Sequence, residues 1–586
     1  MKPVDLKLHP HVPTFRWLAE RVWSVEHAFE RAKAEARPEE DTRVRIFIVL
    51  AVFSFVFAVL ALGAAKAALF SGAESPGAAS TPAASRADLV DRNGLLIATN
   101  LTHFGLYIDP DEVWDVADTR RKLLAAAPAL SPTRLNKALR AEHRSYVLGG
   151  LTPQDRARIH ALALPGVSFE EEDKRVYPLG HSAAHIVGFA DSGGKGIAGV
   201  ERTFDKTIRE AGRTGAAVPL SIDLRIQAAL EDEVAATAAD QQASGAVGIV
   251  TDITTGEVLA MTSWPSYDPG QAGKAPDWAK LNRAATQVYE MGSTFKVFTV
   301  AAGLDSGKAS LTSTFDATAP MQIGERRIHD SHALNRVLSL ADVFIHSSNI
   351  GTSKLALGIG SDTMSRYFRA LGLFEPAKIE LAESARPLYP RKWSDSTLAS
   401  VSFGQAISVT PLQLAAAMGA VLNGGTYVPL TLHKQAPGAR VQGRRVVSPE
   451  TSRAMLDLMR LNVTNGTGSK ADALGLSVGG KTGSAQKVID GRYAATRLVS
   501  SFAAVFPTDG PMEQKRYFVL ILVDDPHGSA QSMGQRTGGW TAAPAVGRVI
   551  DRIAPFLGVQ RRLDPLGLNR AAGAPLVEDA PAGDDE

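Results

Sequence analysis

The longest apolar run in the chain, IFIVLAVFSFVFAVLALGAA from Ile46 to Ala65, contains no charged residue. A helix over this run would reach about 30 Å, the thickness of a bilayer's hydrocarbon core, so the pattern predicts one transmembrane helix at 46–66. It has no amphipathic stripe, which separates it from a core helix. Arg31, Lys33, Arg37, Arg43 and Arg45 precede it, and only Lys66 follows before Arg86. That bias puts residues 1–45 in the cytoplasm and the chain beyond 66 outside. A cleaved signal peptide is the alternative, because GAAKA offers small residues, but its apolar core and the segment ahead of it would both be shorter. Within 1–45, FRWLAERVWSVEHAFERAKAEA has the spacing of an amphipathic helix that lies on the membrane, meets a cytoplasmic partner, or is a solvated tail.

Beyond the apolar run the pattern changes three times. Residues 67–85 are a linker of small residues that has no means of forming a core. From 86 to 225, short apolar runs are broken by Gly, Asp and Pro. Asn93-Gly94 marks a hairpin, and Thr152-Pro153 a helix start. From 226 to 560, strand-like runs come first and last. Thr255-Gly256 turns the early pair and Asp490-Gly491 the late one, with a third late strand in RYFVLILVDDP. Helical spacing fills the middle at 293–305, 338–357, 362–371 and 411–423. This order predicts an α+β fold, an antiparallel sheet of about five strands covered by helices and preceded by a mixed module. Residues 561–586, rich in Pro, Ala and acidic side chains, read as a disordered tail.

Composition narrows the chemistry. A chain of 586 residues is too long for one core. Its 63 basic and 61 acidic residues give a formal charge of +2, which argues against a nucleic-acid binder. There are no cysteines, so thiol nucleophiles, disulfides and cysteine metal sites are excluded.

Three stations carry candidate chemistry. Ser-x-x-Lys occurs at Ser192/Lys195, Ser293/Lys296 and Ser484/Lys487. The first lies in a glycine-rich loop, and the third on a strand where a spacing of three splits the faces. Only Ser293 and Lys296 share a helix face, near an N-terminus that lends positive potential. A lysine buried beside Phe295, Val297 and Phe298 loses affinity for its proton and can take one from a serine hydroxyl. Alone, the pair also fits polar residues at the edge of a core helix. The second station is Ser347-Ser348-Asn349, between two helices, which alone reads as a helix cap. The third is Lys481-Thr482-Gly483 at a strand start, flanked by glycines that let a ligand approach the backbone, or an exposed turn. HDSH at His329 to His332 has no further ligand set around it and reads as a surface turn.

Ser-x-x-Lys, Ser-x-Asn and Lys-Thr-Gly in this order are the signature of penicillin-recognising serine acyl transferases. From about Arg86 to Gly558 the chain resembles the class B penicillin-binding proteins. LVDRNGLLIATN, KRVYPLGHSAAHIVGFAD, GIAGVERTFD, LSIDLRIQ and SFGQAISVTPLQLA carry the likeness alongside the three stations. LYPRKWSDSTLASVSFGQAISVTPLQLA and the late GGWTAAPAVG are most similar to the division-specific branch, with the elongation-specific branch as nearest rival. The chain departs at Met291, where the family often has Pro, and at Ser484, where it often has Thr.

The resemblance implies a penicillin-binding domain at 226–560 on a non-catalytic, dimerisation-type pedestal at 86–225. It implies Ser293 as nucleophile, Lys296 as its base, Ser347 as proton relay with Lys481 in reach, and Asn349 holding the substrate amide. Thr482, Gly483 and Ser484 would bind the substrate carboxylate, and the N–H groups of Ser293 and Ser484 would form the oxyanion hole. Substrates would be peptidoglycan stem peptides, and β-lactams would bind the same site. No metal or other cofactor is implied. The implied place is the bacterial inner membrane at the septum, with the catalytic domain in the periplasm. Partners would be divisome membrane proteins, including an FtsW-type glycosyltransferase. A β-lactam-sensing acyl receptor is the rival of another class.

Overall fold

The computed structural model describes residues 86–562 except 437, 440 and 490, together with 46, 48–61 and the positions Trp23 and His27. Residues 48–61 are helical and their apolar side chains are exposed. Among the described residues no helix is long and apolar enough to cross a membrane. The rest of the predicted span, most of the N-terminal segment, the 67–85 linker and the tail from 563 lie outside the described residues.

The main sheet has five antiparallel strands. In chain order they are β1 (Gly245–Asp252), β2 (Val258–Trp264), β3 (Gly479–Ile489), β4 (Arg492–Phe506) and β5 (Tyr517–Asp524). Their order across the sheet is β3-β4-β5-β1-β2. Gly256 turns β1 into β2 with φ +78°. Ile489 pairs with Arg492, so β3 and β4 join through a two-residue turn, as expected from Asp490-Gly491, although Asp490 itself lies outside the described residues. Every residue of β1 and β5 is buried, because helices cover both faces. On one face α1 (Leu224–Asp240) and a C-terminal helix, Ala542–Ile553, pack Leu230, Val234, Val546 and Ile550 against Val250, Val519 and Ile521. On the other face are α2 (Lys296–Asp305), α3 (Leu340–Ile345), α4 (Asn349–Ile359), α5 (Pro411–Leu422) and α6 (Pro449–Asn465), whose apolar side chains share a core with Val247, Ile249 and Leu520.

The predicted helices are present with altered ends. The 338–357 stretch is two helices, α3 and α4, separated by the Ser347 loop. Helix α6 and the C-terminal helix 542–553 are additional to the expected set. Pro544 and Gly547 weaken the helical pattern of the latter, yet Pro544 sits in the first turn, where its missing N–H costs nothing.

Residues 86–222 build around a long strand, Leu96–Ile108, which pairs with Leu89–Val90, Ser145–Leu151 and Val167–Val176. The Asn93-Gly94 hairpin is present, with Gly94 at φ +86°. Thr152 starts the helix Pro153–His160 through a capping box with Asp155. The far part has its own core of Leu106, Ile108, Leu123, Leu135 and Val147. The near part, including Leu89, Ile97, Ile208 and Leu220, is continuous with the core beneath the main sheet. At that junction Arg86, Arg175 and Glu201 are buried: both arginines grip Glu201, and Arg86 also pairs with the part-exposed Asp205.

Candidate active site

Three segments converge at β3, the edge strand whose free side faces the helices. The first is a single 3₁₀ turn, Gly292–Phe295, that runs directly into α2. The sequence predicts one helix from 293, and the tighter winding stacks residues three apart, so Ser293 lies over Lys296. Gly292 adopts φ +55°, and a Cβ there would stand 2.6 Å from the Ser484 carbonyl oxygen. Gly483 matches it, since its Cβ would stand 2.6 Å from the Met291 carbonyl. Two glycines therefore let the serine turn press against β3 backbone to backbone.

Lys296 is completely buried. Its Nζ donates to the Ser347 carbonyl (2.5 Å), Ser347 Oγ (3.0 Å) and Asn349 Oδ1 (2.8 Å). Among the described residues no carboxylate pairs with it, and its hydrogen bonds run to the second station rather than to Ser293. Burial, followed by the like charge of Lys481, pushes its pKa well below the ordinary value, while Asp330 pulls the other way. A neutral amine keeps two N–H bonds and one lone pair. The Ser347 carbonyl and Asn349 Oδ1 are acceptors only, so they use the two hydrogens, and the lone pair is left for a hydroxyl.

The second station is the short link between α3 and α4. Ser347 has φ +60°, a strained conformation for a residue with a side chain. Ser348 caps α4 by accepting from the Gly351 N–H at 2.9 Å, so the capping role foreseen for this motif is also real. Asn349 is the first residue of α4.

The third station lies on β3. Lys481 is also fully buried, with Nζ 3.3 Å from Thr482 Oγ1 and 5.8 Å from the centre of the Phe344 ring. Burial alone brings it down to about 7. Lys481 is thus not the exposed lysine of a turn. Thr482 Oγ1 is 2.9 Å from Thr467 Oγ1. Ser484 is exposed, and its Oγ accepts from the Gly538 N–H at 3.0 Å. The other two Ser-x-x-Lys pairs separate as expected. Ser192 lies in a turn of 191–196, and Lys487 points away to Asp524 at 2.6 Å.

Sequence reasoning missed some neighbours of the site. Glu290 Oε1 accepts from the Ala406 N–H (2.8 Å) and Tyr493 O–H (3.1 Å), and burial raises its pKa. Its position two residues before Gly292 was the available signal. Asp330, inside HDSH, hydrogen-bonds to Ser348 and to two backbone N–H groups of the second station. HDSH is therefore more than a surface turn; its histidines drew attention to the wrong chemistry.

Residues 246–551 match the penicillin binding protein transpeptidase domain, and residues 81–217 the penicillin-binding protein dimerisation domain. The probable peptidoglycan D,D-transpeptidase FtsI of Caulobacter vibrioides is 57% identical over 94% of this chain and 95% of its own length. The chain is a class B penicillin-binding protein. It is also similar to the peptidoglycan D,D-transpeptidase FtsI of Escherichia coli, 32% identical over 81% of this chain and 84% of that one. Penicillin-binding protein 3 of Mycobacterium tuberculosis, solved with aztreonam, superposes with a TM-score of 0.64 at 25% identity, covering 82% of this chain and 97% of that one. Within its class the chain is thus similar to FtsI, in keeping with the division-branch likeness of its motifs.

Proposed function

We propose that this class B penicillin-binding protein is a peptidoglycan D,D-transpeptidase that crosslinks stem peptides through an acyl-enzyme on Ser293 and is blocked there by β-lactams. Membership of the transpeptidase family supports the reaction class. The observation that carries the assignment of residues is Lys296: a buried amine paired with no carboxylate among the described residues, held by Ser347 and Asn349 three residues after a serine.

Neutral Lys296 takes the proton of Ser293, whose Oγ attacks the carbonyl between the two terminal D-alanines. The N–H groups of Ser293 and Ser484 stabilise the tetrahedral oxyanion, where one lost donor typically costs about 3–4 kcal/mol. Ser347 passes the proton from Lys296 toward the leaving amine, the C–N bond breaks, and D-alanine departs. Asn349 holds the substrate amide, and Lys481, Thr482, Gly483 and Ser484 receive the terminal carboxylate. Lys481, near 7, is partly charged at neutral pH, and an arriving carboxylate favours the charged form. The amine of a second stem peptide then attacks the acyl carbonyl, the bond to Ser293 Oγ breaks, and the proton the amine loses returns by the same route to Oγ as the crosslink closes.

The same reading places residues 1–45 in the cytoplasm, a spanning helix at 46–66, the pedestal at 86–225 and the catalytic domain at 226–560 in the periplasm. The septum is its site of action, beside divisome membrane proteins that include an FtsW-type glycosyltransferase. The charge bias around the apolar run and the likeness to FtsI support this placement. The test supplies the full chain in a membrane mimic with glycan strands bearing pentapeptides. Crosslinked dimers that disappear with Ser293→Ala are the expected result. Release of free D-alanine without dimers would make the protein a carboxypeptidase instead.

A further inference from the structure

Of the residues in HDSH, His329, Ser331 and His332 are exposed, whereas Asp330 is half-buried and turned inward. Asp330 Oδ2 accepts from Ser348 Oγ at 2.7 Å, and Oδ1 accepts from the N–H groups of Asn349 (2.5 Å) and Ile350 (3.0 Å). The carbonyl next to it, that of His329, accepts from Asn349 Nδ2 at 2.9 Å. Asn349 is therefore held at its backbone and at one end of its side chain by two consecutive residues 19 and 20 positions away in the chain. The other end, Oδ1, is left facing Lys296 Nζ.

We infer that Asp330 is a positioning residue for acyl transfer: it fixes the Ser347–Asn349 link so that the Ser347 carbonyl, Ser347 Oγ and Asn349 Oδ1 meet the base. This rests on the function proposed above. Ser348 caps α4 only at the Gly351 N–H; Asp330 takes the N–H groups of Asn349 and Ile350 and also the Ser348 hydroxyl, so it ties the start of α4 to the link that faces the base. The strained φ of Ser347 has to be held by its surroundings, and the carboxylate beside it binds three donors at once. Asp330 has an electrostatic consequence as well. The charged groups that act on Lys296 are Lys481, which opposes its protonation, and Asp330, which favours it.

Geometry and charge are separable with two variants of the full chain, measured by the rate of acylation by a fluorescent penicillin against pH. The final labelled fraction reports folded protein, so the rate is read per competent molecule. Asp330→Glu keeps the charge on an arm one methylene longer. It is expected to lower the plateau rate about tenfold or more and to leave the acidic limb of the profile in place. Asp330→Asn keeps the length and removes the charge. It is expected to lower the plateau and also to move the acidic limb to lower pH, because Lys296 then loses its proton more readily. A purely structural residue would reduce the labelled fraction or thermal midpoint without changing plateau or limb, and that result would overturn the inference. If Asp330→Asn does not fold, the plateau of Asp330→Glu decides, with a wild-type rate as the contrary outcome. Absence of labelling in the unsubstituted chain would instead strike at the proposed function, so the two failures are distinguishable.

Discussion

Two sets of charges are buried in this protein, and they are built on opposite rules. Where residues 86–222 meet the main core, buried Arg86, Arg175 and Glu201 and the part-exposed Asp205 are matched anion to cation: Arg175 Nε reaches Glu201 Oε1 at 2.7 Å while Arg86 holds Oε2 and Asp205. Burial draws the Arg86 guanidinium down, but Glu201 and Asp205 outweigh it and leave it above its ordinary value. Asp205, against the pull of burial, is lowered to about 2 by Arg86, Arg209 and the Gly196 N–H. At the edge of the main sheet, Lys296 and Lys481 are equally hidden, yet among the described residues neither is paired with a carboxylate, and both are displaced downward. A buried charge that is fully paired is fixed in one protonation state and joins segments far apart in the chain. A buried amine left without a counter-charge holds its proton less tightly than usual and is available for chemistry, at the expense of stability.

The contrast is broken most severely by substitution of the base. Lys296→Met should lower penicillin acylation by roughly 10²–10⁴-fold, the scale of a lost general base, without lowering the thermal midpoint. A variant that loses acylation only because it unfolds would show that Lys296 is structural. Glu201→Gln should behave in the reverse way. Removing the anion between two buried arginines should destabilise by about 3–5 kcal/mol, seen as a fall in the thermal midpoint, while acylation per folded molecule stays the same.

pH sharpens the comparison. Lys481 binds its proton in the unfolded chain up to about its ordinary value of 10.5 but releases it near 7 when folded. Its contribution therefore makes stability rise with pH between those values, a slope that Lys481→Met should abolish in denaturation midpoints taken from pH 7 to 10. Asp205 has the opposite window. Its stabilisation is present above its unfolded value of 3.8 and is lost as pH falls through about 2, a loss that Asp205→Asn should remove. The smallest effect is expected at Ser484→Thr. The exposed side chain keeps an oxygen for the Gly538 N–H, so acylation should change by no more than about 0.5 kcal/mol in barrier.

The three stations were legible from their order along the chain, because each alone also fits a bland reading. Ser293/Lys296 stood out from its two look-alikes on helix spacing, and the structure places those look-alikes in a turn and on a salt-bridged strand. The five strands were legible from short apolar runs and their turn residues, Gly256 above all. Other features depend on residues distant in sequence. The burial of Lys481 arises from Phe344 and the helices packed over β3, and no local pattern announces it. Asp330 acts 18 residues away on Ser348, so its inward turn is invisible until α3 and α4 are folded. The 3₁₀ start of α2 depends on Gly292 meeting Ser484, a contact between residues almost two hundred positions apart.

In the proposed mechanism Ser293 is the nucleophile that the buried lysine activates. The most direct measurement treats the full chain with a penicillin and locates the adduct by mass spectrometry of its peptides, beside a folded Ser293→Ala control. One adduct is expected, on Ser293, and none in the control. An adduct on another residue, or one that persists in Ser293→Ala, would contradict that mechanism.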